Sequence, residues 1–488
     1  MTNFHYFKNT GGINKFADVT TLNSSETNTD WHDAQNVEDH KSGGITKMKG
    51  NINICTTSLP ANTLILGIGD YVKGSDNYPM VNTSEGKLYR LDLTTGVLTQ
   101  KFTGLNASAK CCYANYNNGV IMTNGVNTPV FYEEGVGASA LTGSPPTGRP
   151  IEIYKSRVFI ASGSTLYYSA LGNQNNWTAA NDAGYISNFY NDSSPIMALK
   201  IYGEFLAIYK QYGTYILSGS SPTDFVIKPI LNKGAVSPWT VGTVDNRQYF
   251  FNGTSIAPLQ FNDLGQVRAA DEISTKIKNV FSDLNSAKYS ETVCIPYPQK
   301  NQIWFYFASK NSTTLDICYV YDYFHRSWNK RVALPITCGA IINGIIYTGT
   351  SNGKILKEDC GNNFNGAAIE AWWLSPWFTF GNPEAPKEVL SFYVWLYKDQ
   401  MYSIDVLSCQ DYNPFDENVD SITTIQDIDL VWDVSNWDVG YWSGNNVIKK
   451  KIAINGQFES LQVGVRNLQA DQPFTLVGYS FDVDMGEA

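Results

Sequence analysis

The chain has 488 residues, with 35 Lys+Arg against 45 Asp+Glu, a formal charge of −10 and only 16% charged side chains. With 43% hydrophobic and 14% aromatic residues it can bury a large core, which excludes wholesale disorder, and no apolar run is long enough for a membrane-spanning helix. The acidic balance also argues against a protein built to grip nucleic acid, because such affinity comes from neutralising phosphates.

The first 61 residues are polar and turn-rich, bracketed by Gly11-Gly12 and Gly43-Gly44, with short strand candidates at Ile45-Thr46-Lys47-Met48 and Ile52-Asn53-Ile54. They read as an extended N-terminal arm. The opening Met1–Asn9 stretch has no apolar core of a signal peptide, so the expectation is a chain made in a cytosol. Eight cysteines without a CxxC pair then read as reduced thiols, with Cys111 and Cys112 on opposite faces of one strand.

From residue 62 to 364, short Val-, Ile-, Tyr- and Phe-rich strands alternate with Gly, Asn and Ser turns. A strand–turn–strand unit recurs seven times: Met80–Asn82 with Gly86–Asp92, Gly119–Met122 with Pro129–Tyr132, Arg157–Ile160 with Thr165–Tyr168, and Phe205–Tyr209 with Gly213–Leu217. Gln248–Phe251 with Ile256–Leu259, Gln302–Tyr306 with Cys318–Asp322, and Gly344–Tyr347 with Gly353–Leu356 complete the series. A spacing of roughly 35 to 50 residues is that of propeller blades, and six or seven blades fit the length. One segment breaks the pattern. In residues 271–284 the apolar positions fall on one helical face behind two acids, which predicts a short helix packed within its own chain.

Residues 365–488 carry longer strand candidates at Phe392–Tyr397, Tyr402–Leu407, Leu461–Val465 and Phe474–Phe481, which suit a β-sandwich-like domain. The expected fold is therefore all-β: an arm, a β-propeller of about six to seven blades and a C-terminal sandwich. The charge follows the same division. Residues 1–61 hold 5 basic and 6 acidic side chains, residues 62–364 hold 24 and 21, and residues 365–488 hold 6 and 18.

Catalytic signatures are scarce. There is no Walker A sequence, no HExxH and no GxSxG elbow. Of four histidines, His32 and His40 are the pair that would face one another beside Asp33 and Asp39, but structural zinc wants a closed set of ligands. His325 reads as part of a blade turn capped by Asp322, with Trp328 packed on the blade. Asp482-Val483-Asp484 only begins to resemble a calcium loop and reads as a solvated terminus. No catalytic residue, metal or cofactor is assigned, and the chain reads as not an enzyme. The alternative is a carbohydrate-binding or glycoside-hydrolysing propeller, for which sequence places no carboxylate pair and no Asp-box repeat.

Trp432, Trp437 and Trp442 recur every five residues, with Asp433 and Asp438 after the first two. Five is odd for a strand and about 140° on a helix, so the rings share no face of either. A folded loop with each Trp plugging a core is one reading, and a protein-binding interface is the other.

Gly11-Gly12-Ile13-Asn14, Asp33-Ala34-Gln35-Asn36-Val37 and Gly43-Gly44-Ile45-Thr46-Lys47 are similar to the start of one known family. Lys47-Met48-Lys49-Gly50 stands where related proteins usually carry Lys-Arg-x-Gly. The end matches too, in Trp432-Asp433, Trp437-Asp438, Trp442, Gly456 and the run Asp471-Gln472-Pro473-Phe474-Thr475-Leu476-Val477-Gly478-Tyr479. The chain thus resembles the tail-hub or nozzle proteins of short-tailed bacteriophages, also called packaged-DNA stabilisation proteins. That resemblance implies a virion tail protein assembled in the host bacterial cytoplasm, in a homo-oligomeric ring of about six copies below the phage adaptor. Its partners would be the adaptor and other tail proteins (plug, needle or fibres), and double-stranded DNA would pass transiently without sequence-specific binding. On this reading the acidic Asp416, Glu417, Asp420, Asp427 and Asp429 face the channel, repelling phosphates within the Debye length of about 8–10 Å.

Overall fold

The computed structural model describes residues 3–7, 11–20, 22, 30–40, 43–179, 182–397, 402–413, 418–423 and 447–485. By its internal contacts the chain divides into two compact units. One comprises residues 53–318 and 334–358, the other residues 1–52, 319–333 and 359–488. The first fifty residues therefore share a unit with the last 130.

Successive antiparallel sheets in a propeller-like arrangement make up most of the larger unit. The first is Ile65–Lys73, Asp76–Thr83, Lys87–Leu91 and Leu98–Thr103, and the second Cys112–Tyr116, Gly119–Thr123, Val130–Glu133 and Gly137–Ala140. The third is Ile151–Tyr154, Arg157–Ser162, Thr165–Tyr168 and Gly184–Ile186, and the fourth Ile196–Tyr202, Phe205–Lys210, Thr214–Ser218 and Val226–Leu231. The fifth is Val241–Val244, Arg247–Phe251, Ile256–Phe261 and Val267–Ala269, and the sixth begins with Val293–Tyr297 and Gln302–Phe307. Cys338–Ile342, Ile345–Gly349 and Ile355–Glu358 form the seventh, and the chain before the first sheet completes it. Ile54 N donates to Ile355 O at 2.9 Å, and Ile355 N donates to Asn53 Oδ1 at 3.2 Å.

Six of the seven strand–turn–strand units read from the sequence are the second and third strands of these sheets, and Gln302–Tyr306 of the remaining unit falls in the second strand of the sixth. Both their faces are covered, so they need apolar side chains throughout; all six residues of Gln302–Phe307 are buried. Outer strands such as Gly137–Ala140 and Val226–Leu231 are largely exposed and carry a weaker pattern. Apolar layers fill each interval between sheets. Tyr71, Met80 and Leu88 pack with Val120, Met122 and Tyr132 between the first and second, and Ile65 and Val81 pack with Ile342 and Ile355 between the first and seventh. Each fully buried side chain of this size stabilises by roughly 1.5–3 kcal/mol. The first strand of each sheet neighbours the first strand of the next, and that of the seventh neighbours that of the first.

Tyrosines tie adjacent sheets together. Tyr71 Oη donates to Asn118 O at 2.9 Å and Tyr116 Oη to Ser156 O at 3.1 Å. Tyr154 Oη donates to Glu204 O at 3.1 Å and Tyr202 Oη to Asn246 O at 2.7 Å. Each of these tyrosines lies at or near the end of a first strand, and each carbonyl lies in the first hairpin turn of the following sheet.

The helix expected at 271–284 is corrected by the structure. The segment is a 3₁₀ stretch, Thr275–Asp283, with a kink at Ile277. Ile277, Val280 and Phe281 are buried as the periodicity required, and Phe281 packs against Phe251 of the fifth sheet and Phe307 of the sixth, at 5.6 and 6.1 Å between ring centroids. Wedged between two sheets, the segment is held by these ring contacts rather than by a regular α-helical ladder.

Two sheets form the smaller unit in a sandwich-like arrangement. One runs Val37–Asp39, Ile45–Lys47, Thr475–Met485, Lys387–Tyr397, Val447–Ile452, with Asn3–Phe7 paired to Thr475–Met485 as well. The other runs Asp33–Gln35, Ala371–Leu374, Leu461–Asn467, Ser403–Gln410, Asn418–Thr423. Trp373 from the second meets Tyr479 from the first at 5.4 Å between ring centroids, and Phe392 stacks on Phe481 at 4.8 Å. All four long strands expected beyond residue 365 are present. Asp482 and Asp484 prove to be ladder residues, paired with Ser391 and Glu388, rather than a solvated terminus.

Candidate functional site

One cavity of about 430 Å³ in the larger unit is lined by residues from the first strand of all seven sheets or the turn just before it. Small side chains make that geometry possible. A Cβ on Gly69 would sit 2.2 Å from Cγ of Tyr113 on the neighbouring strand, so the two strands approach this closely only because position 69 has none. Cys111 packs into the layer between the first and second sheets and Cys112 against the layer between the second and third, on opposite faces as expected.

Charged and aromatic groups collect beside this cavity. Trp239 lines it and donates Nε1–H to Cys111 O at 3.3 Å, with Lys110 Nζ and Arg149 Cζ 5.3 and 5.5 Å from its ring centroid. Lys110 also donates to Glu291 O at 3.3 Å, and burial draws its pKa down. Asp70 accepts from Asn77 Nδ2 at 3.1 Å, its other oxygen has no partner among the described residues, and burial pushes its pKa up to about 6. Burial likewise raises Glu152, against the pull of Lys200.

None of the eight cysteines forms a disulfide. Those at the cavity are poor nucleophiles, because burial pushes Cys112 up to about 12 and Cys338 to about 11, and Cys111 and Cys294 rise as well. The lining includes no histidine. The cavity is of small-molecule size. It offers aromatic and cationic surface, not an activated nucleophile with its base. Nor is it a conduit for a duplex, whose major groove alone is about 12 Å wide.

Residues selected from the sequence fall elsewhere. Trp432, Trp437, Trp442, Asp416, Glu417, Asp427 and Asp429 lie outside the described residues. Asp420 is exposed on the strand Asn418–Thr423 and shares a shallow groove with Lys450 and Lys451.

The grouping of His32 and His40 with Asp33 and Asp39 does not form. Asn36, at φ 55°, turns the chain between them, so Asp33–Gln35 and Val37–Asp39 enter different sheets. Asp33 pairs with Lys15 at 2.7 Å and with Lys330 at 3.7 Å, and His40 packs its ring 5.6 Å from that of Tyr397. Asp39 instead meets Asp322 and His325. The expected Asp322 cap is present, since Oδ1 accepts from the backbone N–H of Phe324 and of His325, each at 2.9 Å, and Trp328 is fully buried.

The motifs quoted from the two ends of the chain meet in the smaller unit. Thr46 Oγ1 donates to Phe474 O at 3.1 Å, and Lys47 Nζ donates to Asn467 Oδ1 at 2.6 Å and to Gln469 O at 3.1 Å. A Cβ on Gly44 would lie 2.1 Å from Leu476 O. Asn36 is a shared node: its N–H donates to Lys330 O, its Nδ2 to Glu370 O, and its O and Oδ1 accept from Met48 and Val332. No glycine is needed at its positive φ, which Asn tolerates.

No protein-family model matches the chain, and no curated protein matches it. Solved structures with a similar fold include a streptogramin B lyase, at 12% identity and a TM-score of 0.42 over 63% of this chain and 95% of that one. A catalytically inactive virginiamycin B lyase from Staphylococcus aureus with quinupristin gives 11% and 0.44 over 64% and 98%. The extracellular domain of a hybrid two-component system from B. thetaiotaomicron gives 11% and 0.44, with 63% of this chain covering 39% of that one.

Proposed function

We propose that the chain is a structural subunit of the tail nozzle of a short-tailed bacteriophage, forming with further copies a ring that retains packaged double-stranded DNA and conducts it at ejection. The observation that carries this reading is the meeting of the two terminal motif sets, Gly43–Lys47 against Asp471–Tyr479, at Thr46–Phe474 and Gly44–Leu476. Residues that bear the resemblance at opposite ends of the sequence pack and hydrogen-bond directly to one another, so they act as a single architectural signature.

Two further features support it. The seven-sheet cavity is too narrow for a duplex, which suits a conduit formed between copies. Exposed apolar side chains, among them Tyr185 and Val226 on outer strands and Tyr190 in a turn, at 65%, 47% and 62% exposure, provide apolar surface for permanent contacts. No catalysis is part of this function.

Native mass measurement and electron microscopy of the purified protein, alone and mixed with the adaptor ring of its phage, test it. A ring of several copies seated on the adaptor is expected. A stable monomer that ignores the adaptor overturns the proposal, and glycan binding or cleavage by that monomer would favour the carbohydrate-directed propeller instead.

A further inference from the structure

Three ligand-type side chains from distant parts of the sequence converge in the smaller unit. Asp39 ends the strand Val37–Asp39, while Asp322 and His325 flank a turn nearly 290 residues later. One ligand atom from each lies within 4.8 Å of the others. His325 Nδ1 stands 2.9 Å from Asp322 Oδ2, and Asp322 Oδ1 is committed to the turn. Ser327 Oγ donates to Asp39 Oδ2.

What remains is an excess of lone pairs. Asp39 Oδ1 is buried and has no hydrogen-bond partner among the described residues. Asn329 is fully buried beside Asp39, where the N–H side of its amide favours the charged carboxylate. Leaving a buried carboxylate oxygen unpaired is unfavourable, the more so when the group is charged. Two carboxylates whose oxygens lie this close also repel. A dication relieves the repulsion and takes up the free lone pairs.

We propose that Asp39, Asp322 and His325 bind one divalent first-row transition-metal ion, Zn²⁺ or Mn²⁺. The mixed set of imidazole and carboxylate selects this class over Ca²⁺ and Mg²⁺, which take oxygen ligands alone. The ion would be structural, clipping the N-terminal segment to the turn that holds His325.

Isothermal titration of the metal-stripped full chain with ZnCl₂ and with MnCl₂ tests this. One site per chain is expected for at least one of them, with affinity at least tenfold weaker in Asp39→Asn and in His325→Gln. Because other histidines also bind zinc, His32→Gln and His40→Gln serve as controls and should keep wild-type affinity. Thermal melts of each apo variant separate misfolding from lost binding, since a variant that melts like the wild-type apo protein but binds tenfold more weakly supports the site. No saturable binding of either metal, wild-type affinity in Asp39→Asn and His325→Gln, or loss of the site in His32→Gln or His40→Gln would each overturn it.

Discussion

Lys47 Nζ donates to Asn467 Oδ1 at 2.6 Å, a bond between buried side chains 420 positions apart. Asn467 in turn donates from Nδ2 to Ser403 O at 2.6 Å, so one ammonium group ties the strand Ile45–Lys47 to the far side of the sandwich. Lys47 is therefore a buried pin between the chain ends, at the end of the strand Ile45–Lys47.

Replacing that pin should be costly. Lys47→Met leaves Asn467 Oδ1 and Gln469 O without their donor, and a hydrogen bond to a charged group contributes about 1.5–3 kcal/mol. Urea unfolding should move to a lower midpoint, and an unchanged midpoint would refute the role. A pH signature separates charge from packing. Burial lowers Lys47 to about 8 from 10.5, so between these values the unfolded chain holds a proton that the native state has lost. Its contribution to stability therefore rises as pH climbs from about 8 towards 10.5, and the methionine variant should lack that rise.

The tyrosine ties between sheets predict a graded series. Tyr154→Phe removes donors to Glu204 O and Gly219 O, and Tyr202→Phe removes donors to Asn246 O and Leu259 O. Each should destabilise by about 1–2 kcal/mol, chiefly through the carbonyls left unpaired. Hydrogen exchange should quicken in the hairpin of the following sheet, at 203–206 for the first variant and 245–248 for the second. Faster exchange spread evenly over the whole chain would show that the hydroxyls do not act locally.

Asp70 offers a pH test at the cavity. Burial raises its pKa to about 6 from 3.8, so across that window the native state holds a proton that the unfolded chain has released. Its contribution to stability falls as pH rises from about 4 to about 6. Asp70→Asn should abolish this fall, measured as the difference between wild-type and variant melting temperatures across the same range. A constant difference would place the carboxylate in water rather than in the cavity wall.

The seven repeating units were legible because second and third strands are covered on both faces and so must be continuously apolar, as in Gln302–Phe307. First strands were harder to read. They crowd around the cavity and use Gly67, Gly69, Gly242 and Gly339, residues that carry little strand signal. The tyrosine ties did leave a trace: Tyr71, Tyr116, Tyr154 and Tyr202 each stand shortly before a tight turn, at blade-like spacing, and that repeat was missed. The 3₁₀ stretch was half legible, since its apolar face followed from periodicity while its winding depended on Phe251 and Phe307.

By itself the sequence determined an all-β chain, its seven-fold strand rhythm, its long C-terminal strands and the concentration of acidity after residue 365, because periodicity and composition are local properties. Only the tertiary structure decided which distant residues meet. Asn36 turns the chain from one sheet into another, which separates Asp33 from Asp39 and sends Asp39 to Asp322 and His325. The same pairing of early and late strands brings Lys47 to Asn467. Such meetings depend on strand order within sheets, and strand order is set by packing summed over the whole unit rather than by any local run of residues.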